Sequence, residues 1–180
     1  LDDISVPPDA EDIPLEPLLR SCAETIRRRY ELEDHQIEFR GENALLRGRP
    51  RELEIVFTNL LDNAVKYGGH PPRILVEMRP QSERVVTRIC DNGKGVGFEL
   101  RAKIFHRFFR GGSELERTTK GTGLGLHIVR SLVKKMGGGI SVHGRGPLSG
   151  ATFDVELPGT PLPPVVETPP GEELPPGASA

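Results

Sequence analysis

The sequence predicts an α+β domain in which about three helices lie on one face of a mixed, mostly antiparallel sheet. Along the 180 residues, the patterns follow the order helix, strand, helix, two strands, an unpatterned stretch, helix and two strands. Several of the strand pairs are joined by connections too short for the helical crossover that a parallel pair requires. The pattern therefore does not suit a doubly wound parallel sheet.

The first part of the chain is expected to supply a linker, a helix and two short strands. Leu1–Pro14 is polar and interrupted by prolines, which is typical of a linker entering a domain. Apolar residues at helical spacing then predict a helix over about Glu16–Tyr30. Alternating residues predict a strand over His35–Arg40 and a second short one over Ala44–Arg47.

The second helix, predicted over about Arg51–Tyr67, carries a polar stripe along the edge of its apolar face. At about 100° per residue, Asn59, Asn63 and Lys66 fall on this edge. Two amides and an ammonium group beside a core need partners, which are either structural hydrogen bonds or a ligand such as hydrated Mg²⁺ with its phosphates. The solvated back of the same helix is expected to hold Glu54, Thr58 and Asp62.

A predicted hairpin, Arg73–Arg79 and Arg84–Asp91, ends in a glycine-rich loop. An aspartate at such a position is ordinary in a turn, but a carboxylate held there can also accept a hydrogen bond from an exocyclic amine such as adenine N6. Residues 97–120 follow with little regular pattern and with glycines at both ends. A stretch of this length inside a compact domain is usually a lid or is disordered, and flanking glycines suit a hinged lid.

The segment Gly121–Leu126 places glycines at alternate positions immediately before the helical pattern His127–Met136. Bare backbone N–H groups at a helix N-terminus favour an anion, and phosphate is the usual one. A glycine-rich turn without a ligand remains the alternative, since neither a GxxxxGK[ST] nor a GxGxxG pattern is present. Two last strands are expected around Ile140–Val142 and Ala151–Leu157.

Composition narrows the classes of function and location. Eight of the last 23 residues are proline, so we expect Gly159–Ala180 to be a disordered tail. A net charge of −2, 5% aromatic residues and no Trp argue against nucleic-acid binding. No apolar run approaches the length of a membrane span, which predicts no direct membrane contact.

Cys22 and Cys90 suggest neither a metal site nor a disulfide, as in a cytoplasmic protein. The start at Leu1 suggests a piece of a longer protein, which could itself be anchored in a membrane.

Four segments, taken together and in order, closely resemble the N, G1, F and G2 boxes of the ATP-binding domain of two-component sensor histidine kinases. They are Asn59–Tyr67, Asp91–Val96, Phe105–Arg110 and Gly121–Leu126. The resemblance covers residues 15–158 and implies the Bergerat, or GHKL, α/β-sandwich fold with a mobile ATP lid over about residues 97–120. It also implies that residues 1–14 lead in from an upstream phosphoacceptor domain that this chain lacks.

The resemblance implies ATP and Mg²⁺ as ligands and assigns roles to individual residues. Asn63 would hold Mg²⁺ with Asn59 nearby, and Asn59 and Lys66 would be the catalytic residues, Lys66 at the phosphates. Asp91 would bind the adenine amine. Phe105 and Phe108 would anchor the lid. The full set implied to bind nucleotide is Asn59, Asn63, Lys66, Tyr67, Asp91, Gly93, Gly95, Val96, Ile104, Phe105, Phe108, Arg110, Gly121, Thr122, Gly123, Leu124, Gly125 and Leu126.

Asn59 separates this chain from other branches of the superfamily. The ATP-hydrolysing members and the GHKL serine kinases resemble one another in having Glu at this position, and an asparagine cannot act as a base. The implied function is transfer of the γ-phosphoryl group to a histidine of a dimerisation/phosphoacceptor domain, and onward to a response regulator receiver domain. The alternatives are a GHKL ATPase or serine kinase, and a pseudokinase that serves as a docking module.

Overall fold

The computed structural model describes residues 10–109, 122–144 and 146–162 of the chain. Three α-helices are present in this part: α1 (Leu15–Tyr30), α2 (Pro50–Tyr67) and α3 (Gly125–Lys135). The strands are β1 (Glu11–Pro14), β2 (Ile37–Gly41), β3 (Ala44–Gly48), β4 (Ile74–Gln81), β5 (Arg84–Asp91), β6 (Gly139–His143) and β7 (Thr152–Pro161). Short 3-10 helices cover Asp34–Gln36, Phe98–Leu100 and Lys103–Phe105.

The strands form a seven-stranded sheet in the order β1-β3-β7-β5-β4-β2, with β6 added beside β7. Among the described strands only β2 and β4 pair in parallel, and the other pairings are antiparallel. The parallel pair is the one whose connection contains a helix, α2, whereas β4 and β5 are joined by a tight turn. The predicted mixed, mostly antiparallel sheet is confirmed.

The hydrophobic core lies between the helices and one face of the sheet. Helix α2 occupies the middle of the helical layer, between α1 and α3, so its side chains Phe57, Leu60 and Leu61 are fully buried. Truncating any one of them to Ala costs about 2–5 kcal/mol, since the surrounding side chains cannot close the cavity. The opposite face of the sheet is polar, and there Arg88 donates to both oxygens of Asp154. Because α2 packs its apolar face against one face of the sheet, only residues at the edge of that apolar face can reach the site described below.

Two segments expected to lie outside the domain belong to its sheet. Glu11–Pro14, expected to be linker, form β1, and residues 159–161, expected to be tail, extend β7. Both pair with β3, Pro14 opposite Leu45 and Pro161 opposite Ala44. Proline is tolerated because each lies at the end of its strand, where a missing N–H interrupts no central ladder. The linker and tail assignments are wrong for these residues.

The expectation that Asp62 lies on the solvated back of α2 is also wrong. Its side chain is only 14% exposed and faces the end of α1, where it bonds with Arg29 and Tyr30. Helical periodicity places a residue relative to the sheet. It does not show that a neighbouring helix covers what would otherwise be the solvent side.

Candidate functional site

Strand β5 ends at Asp91, whose side chain is buried, with 3% of its surface exposed. Its Oδ1 accepts hydrogen bonds from the backbone N–H groups of Gly93, at 2.9 Å, and Ala151, at 3.0 Å. Its Oδ2 accepts no hydrogen bond from the described residues. Burial raises the pKa of Asp91 even though the two N–H groups act to lower it. One oxygen is thus fixed by the backbone, and the other is available to a donor on a ligand.

Glycines bring the backbone closer to this carboxylate than any other residue permits. A Cβ at Gly150 would lie 2.2 Å from Asp91 Oδ1, and one at Gly93 would lie 1.9 Å from the carbonyl oxygen of Tyr67. Gly95 has a φ of +77°, a conformation that glycine adopts readily. Gly93 and Gly95 are expected from the sequence. The contributions of Gly150 and Ala151 are not expected, although a glycine directly before the predicted strand Ala151–Leu157 could have indicated a close approach there.

Helix α2 presents the predicted polar stripe, and Asn59, Asn63 and Lys66 are all half-buried. The Asn59 amide nitrogen donates to the carbonyl of Ile55 at 2.8 Å. Its oxygen faces α3, because a Cβ at Gly125 would lie 2.8 Å from Asn59 Oδ1. Lys66 Nζ lies 2.5 Å from Asp62 Oδ2, one turn back along the helix. The stripe therefore offers an amide oxygen beside the start of α3 and, farther along the helix, an ammonium group paired with Asp62.

The glycine-rich segment leads directly into α3, as predicted. Leu124 precedes the helix and provides no side-chain cap. The backbone N–H of Ile128 donates to the carbonyl of Leu124 at 2.9 Å. The N–H groups of the first turn have no partner within the helix, so they form an anion-binding end. Gly123 has a φ of +69° and leaves Thr122 exposed. Gly121 lies outside the described residues.

The segments on either side of residues 110–121 are fastened together. The backbone N–H of Phe108 donates to the carbonyl of Gly123 at 3.0 Å, and Arg107 Nε donates to His127 Nε2 at 2.9 Å. Phe105 is buried, and its ring meets that of Phe153 edge to face with centroids 6.5 Å apart. Arg107 and Phe108, which lie inside the predicted lid of residues 97–120, are therefore held against the segment that follows it.

The two phenylalanines expected to anchor the lid behave differently. The Phe105 ring is packed in the core, but the Phe108 ring is 71% exposed, and its φ of +59° lies in the left-handed region. In the described structure the backbone of Phe108 is hydrogen-bonded to Gly123, and anchoring of the lid by the Phe108 ring stays a prediction. Val96, Ile104 and Leu126 are partly buried against the core. Arg110 lies outside the described residues.

Helix α2 connects the two ends of the site. Its carbonyl at Tyr67, whose side chain is 54% exposed, lies against Gly93 in the Asp91 loop, and its Asn59 lies against Gly125. The eight steps from Asn59 to Tyr67 rise about 12 Å along the helix axis. A buried carboxylate at one end and a polar, N–H-rich corner at the other suit an elongated ligand with a hydrogen-bonding base and an anionic tail.

No side-chain cage for a metal is present in the part of the chain that the structure describes, where no three His, Cys, Asp or Glu side chains gather. A hydrated Mg²⁺ held by an amide oxygen and ligand phosphates fits such a site, because the ion keeps most of its own water. Across the same described ranges, none of the helices has the length and apolar character needed to span a membrane.

Comparisons with known proteins agree with this geometry. Residues 48–161 match the family described as histidine kinase-, DNA gyrase B-, and HSP90-like ATPase. AfsQ2, a signal transduction histidine-protein kinase of Streptomyces coelicolor, is 36% identical over 128 residues, which make up 71% of this chain and 23% of AfsQ2. The chain thus spans less than a quarter of that relative.

Solved structures give the same result. The mycobacterial sensor histidine kinase MprB superposes with a TM-score of 0.72 at 29% identity, over 85% of this chain and 99% of that chain. Full-length ShkA in complex with AMPPNP superposes with a TM-score of 0.67 at 29% identity, over 86% of this chain and 32% of that chain. The chain therefore belongs to the histidine kinase-, DNA gyrase B- and HSP90-like ATPase family, and within it to the catalytic domains of sensor histidine kinases.

Proposed function

We propose that the chain binds Mg-ATP and transfers the γ-phosphoryl group to a histidine on a dimerisation/phosphoacceptor domain, which then passes it to the receiver domain of a response regulator. The observation that carries the proposal is the buried Asp91 carboxylate, with one oxygen held by two backbone N–H groups. The second oxygen, Oδ2, accepts a hydrogen bond from the adenine amine. We also propose that the domain works in the cytoplasm, where ATP is available.

The phosphate end uses α2 and the start of α3. Asn63 holds the metal, with the oxygen of Asn59 beside it, and Lys66 contacts the phosphates. The open N–H groups before Ile128 receive phosphate oxygens. The ion supplies charge neutralisation at the transferred group. ShkA, one of the structural neighbours, was solved in complex with AMPPNP, which supports nucleotide binding by this chain.

Phosphoryl transfer to histidine suits a site without a general base. Asn59 cannot remove a proton, and a neutral imidazole is already nucleophilic. The domain therefore contributes positioning and charge stabilisation, and the acceptor supplies the attacking nitrogen. Water is a poorer nucleophile without a base, so the bound ATP is hydrolysed slowly.

The proposal is tested by incubating the chain with labelled ATP, Mg²⁺ and a histidine-bearing phosphoacceptor domain of a sensor kinase. We expect label on the acceptor that is acid-labile and base-stable, as a phosphohistidine is. Rapid steady-state hydrolysis without an acceptor would instead indicate an ATPase. Absence of ATP binding in calorimetry would indicate a docking module.

A further inference from the structure

Asp62 connects the end of α1 to the polar stripe of α2. Its Oδ1 accepts from the Tyr30 hydroxyl at 2.8 Å and from Arg29 Nη1 at 3.0 Å. Its Oδ2 lies 2.5 Å from Lys66 Nζ. The two oxygens of one carboxylate thus have separate tasks, one toward α1 and one toward Lys66.

The Asp62 carboxylate is surrounded by two cations and a hydroxyl donor. Burial alone would raise the pKa of Asp62, but the hydrogen bonds from Lys66, Tyr30 and Arg29 outweigh burial and lower it. Burial and the neighbouring carboxylate raise the pKa of Tyr30 to about 12, so its hydroxyl remains a donor at neutral pH. By geometry, Asp62 lies between two cations, Arg29 on the α1 side and Lys66 on α2.

We propose that Asp62 is a positioning residue for nucleotide binding, which holds the Lys66 ammonium at the polar stripe of α2 where the phosphates of ATP lie. The inference rests on the proposed function and adds a role for a residue of the Asn59–Tyr67 segment to which the resemblance assigned none. An ammonium group has three N–H donors, and Asp62 engages one of its sides, so donors remain for phosphate oxygens. A lysine held in advance loses less side-chain freedom on binding.

The location of Arg29 explains why a negative residue can stand beside a phosphate site. Its guanidinium balances the Asp62 charge from the α1 side, so the carboxylate orients Lys66 without presenting an uncompensated negative charge to the ligand. Tyr30 fixes the same oxygen from a second direction. Movement of the end of α1 is thereby coupled to the position of Lys66.

The test compares ATP with adenosine, which lacks phosphates, by isothermal titration calorimetry on the chain and its Asp62→Asn variant. We expect the variant to bind ATP about five-fold more weakly, the size of one lost side-chain preorganisation, and to bind adenosine as the unsubstituted chain does. In a Lys66→Met background the same substitution should have no further effect. Glu24→Gln, which removes an exposed i,i+4 carboxylate on α1, should change neither affinity.

Other outcomes separate the two proposals. Equal losses for ATP and adenosine, or additive losses in the Lys66→Met background, would show a merely structural role and overturn the positioning of Lys66. If Asp62→Asn does not fold, Tyr30→Phe keeps the carboxylate and should weaken ATP about two-fold without affecting adenosine. If the unsubstituted chain binds ATP no more tightly than adenosine, the positioning of Lys66 fails and adenine recognition stands. If it binds neither ligand, the proposed function itself fails.

Discussion

Replacing Asp91 by Asn tests adenine recognition with the smallest possible change. The side chain keeps its shape, and an amide oxygen in place of Oδ1 can still accept from Gly93 and Ala151. The other atom changes from an acceptor to an NH₂ donor. It would then face the exocyclic amine of adenine, which is also a donor.

The expected magnitude follows from this reversal. The lost bond is charge-assisted, and two donors are left opposed in a buried position, which together cost about 2–4 kcal/mol, or roughly 30- to 1000-fold in affinity. The free energy of unfolding, in contrast, should stay the same or rise. Because burial raises the pKa of Asp91 in the folded protein, its ionised form opposes folding once the pH exceeds its unfolded value of 3.8. A neutral amide removes that opposition at neutral pH.

Calorimetry with ATP and GTP, together with thermal unfolding at neutral pH, separates recognition from folding. The unsubstituted chain should prefer ATP, since a carboxylate repels the guanine carbonyl. The Asp91→Asn variant should lose most of that preference while unfolding at the same or a higher temperature. Undiminished ATP affinity in a folded variant would refute the assignment of Asp91 to adenine.

Two further substitutions test the backbone around the site and the polar face of the sheet. Gly150→Ala should destabilise the fold by about 1–3 kcal/mol in urea unfolding, because its Cβ would overlap Asp91 Oδ1, whereas Gly139→Ala, with nothing within 4 Å, is a matched control with little effect. Asp154→Asn should cost about 1–3 kcal/mol at pH 7 through loss of its bonds to Arg88. Burial alone would raise the pKa of Asp154, but Arg88 lowers it. This contribution is therefore complete above the unfolded pKa of 3.8 and is lost as the pH falls through the folded pKa, where variant and parent should converge.

Local patterns predicted the elements well where one face of an element is apolar. The alternation in Arg84–Asp91 gave the bounds of β5, and the stripe on α2 gave the half-buried positions of Asn59, Asn63 and Lys66. Both succeed because each depends on a side chain's direction relative to a single buried surface.

The missed residues depend on contacts between distant parts of the chain. Ala151 donates to Asp91 across 60 positions, and Tyr30 donates to Asp62 across 32. Nothing in either local sequence shows which segment will lie opposite. The same is true of β1 and the end of β7, which become strands because β3 offers both of its edges. Proline content predicted the opposite.

The two ends of the site are held by different means, and this has a functional consequence. At the end proposed to bind adenine, two backbone N–H groups hold the Asp91 carboxylate, and glycine backbone packs closely against it. At the phosphate end, the geometry depends on the separation of α2 and α3, which touch at Gly125 and are joined farther along by the ion pair of Glu52 with Lys135, at 2.7 Å. Helices can slide or tilt against each other, whereas the Asp91 loop is tied by the N–H groups of its own Gly93 and of the distant Ala151. Under the proposed assignment, conformational control would act at the phosphates, while the base would be bound by a fixed frame.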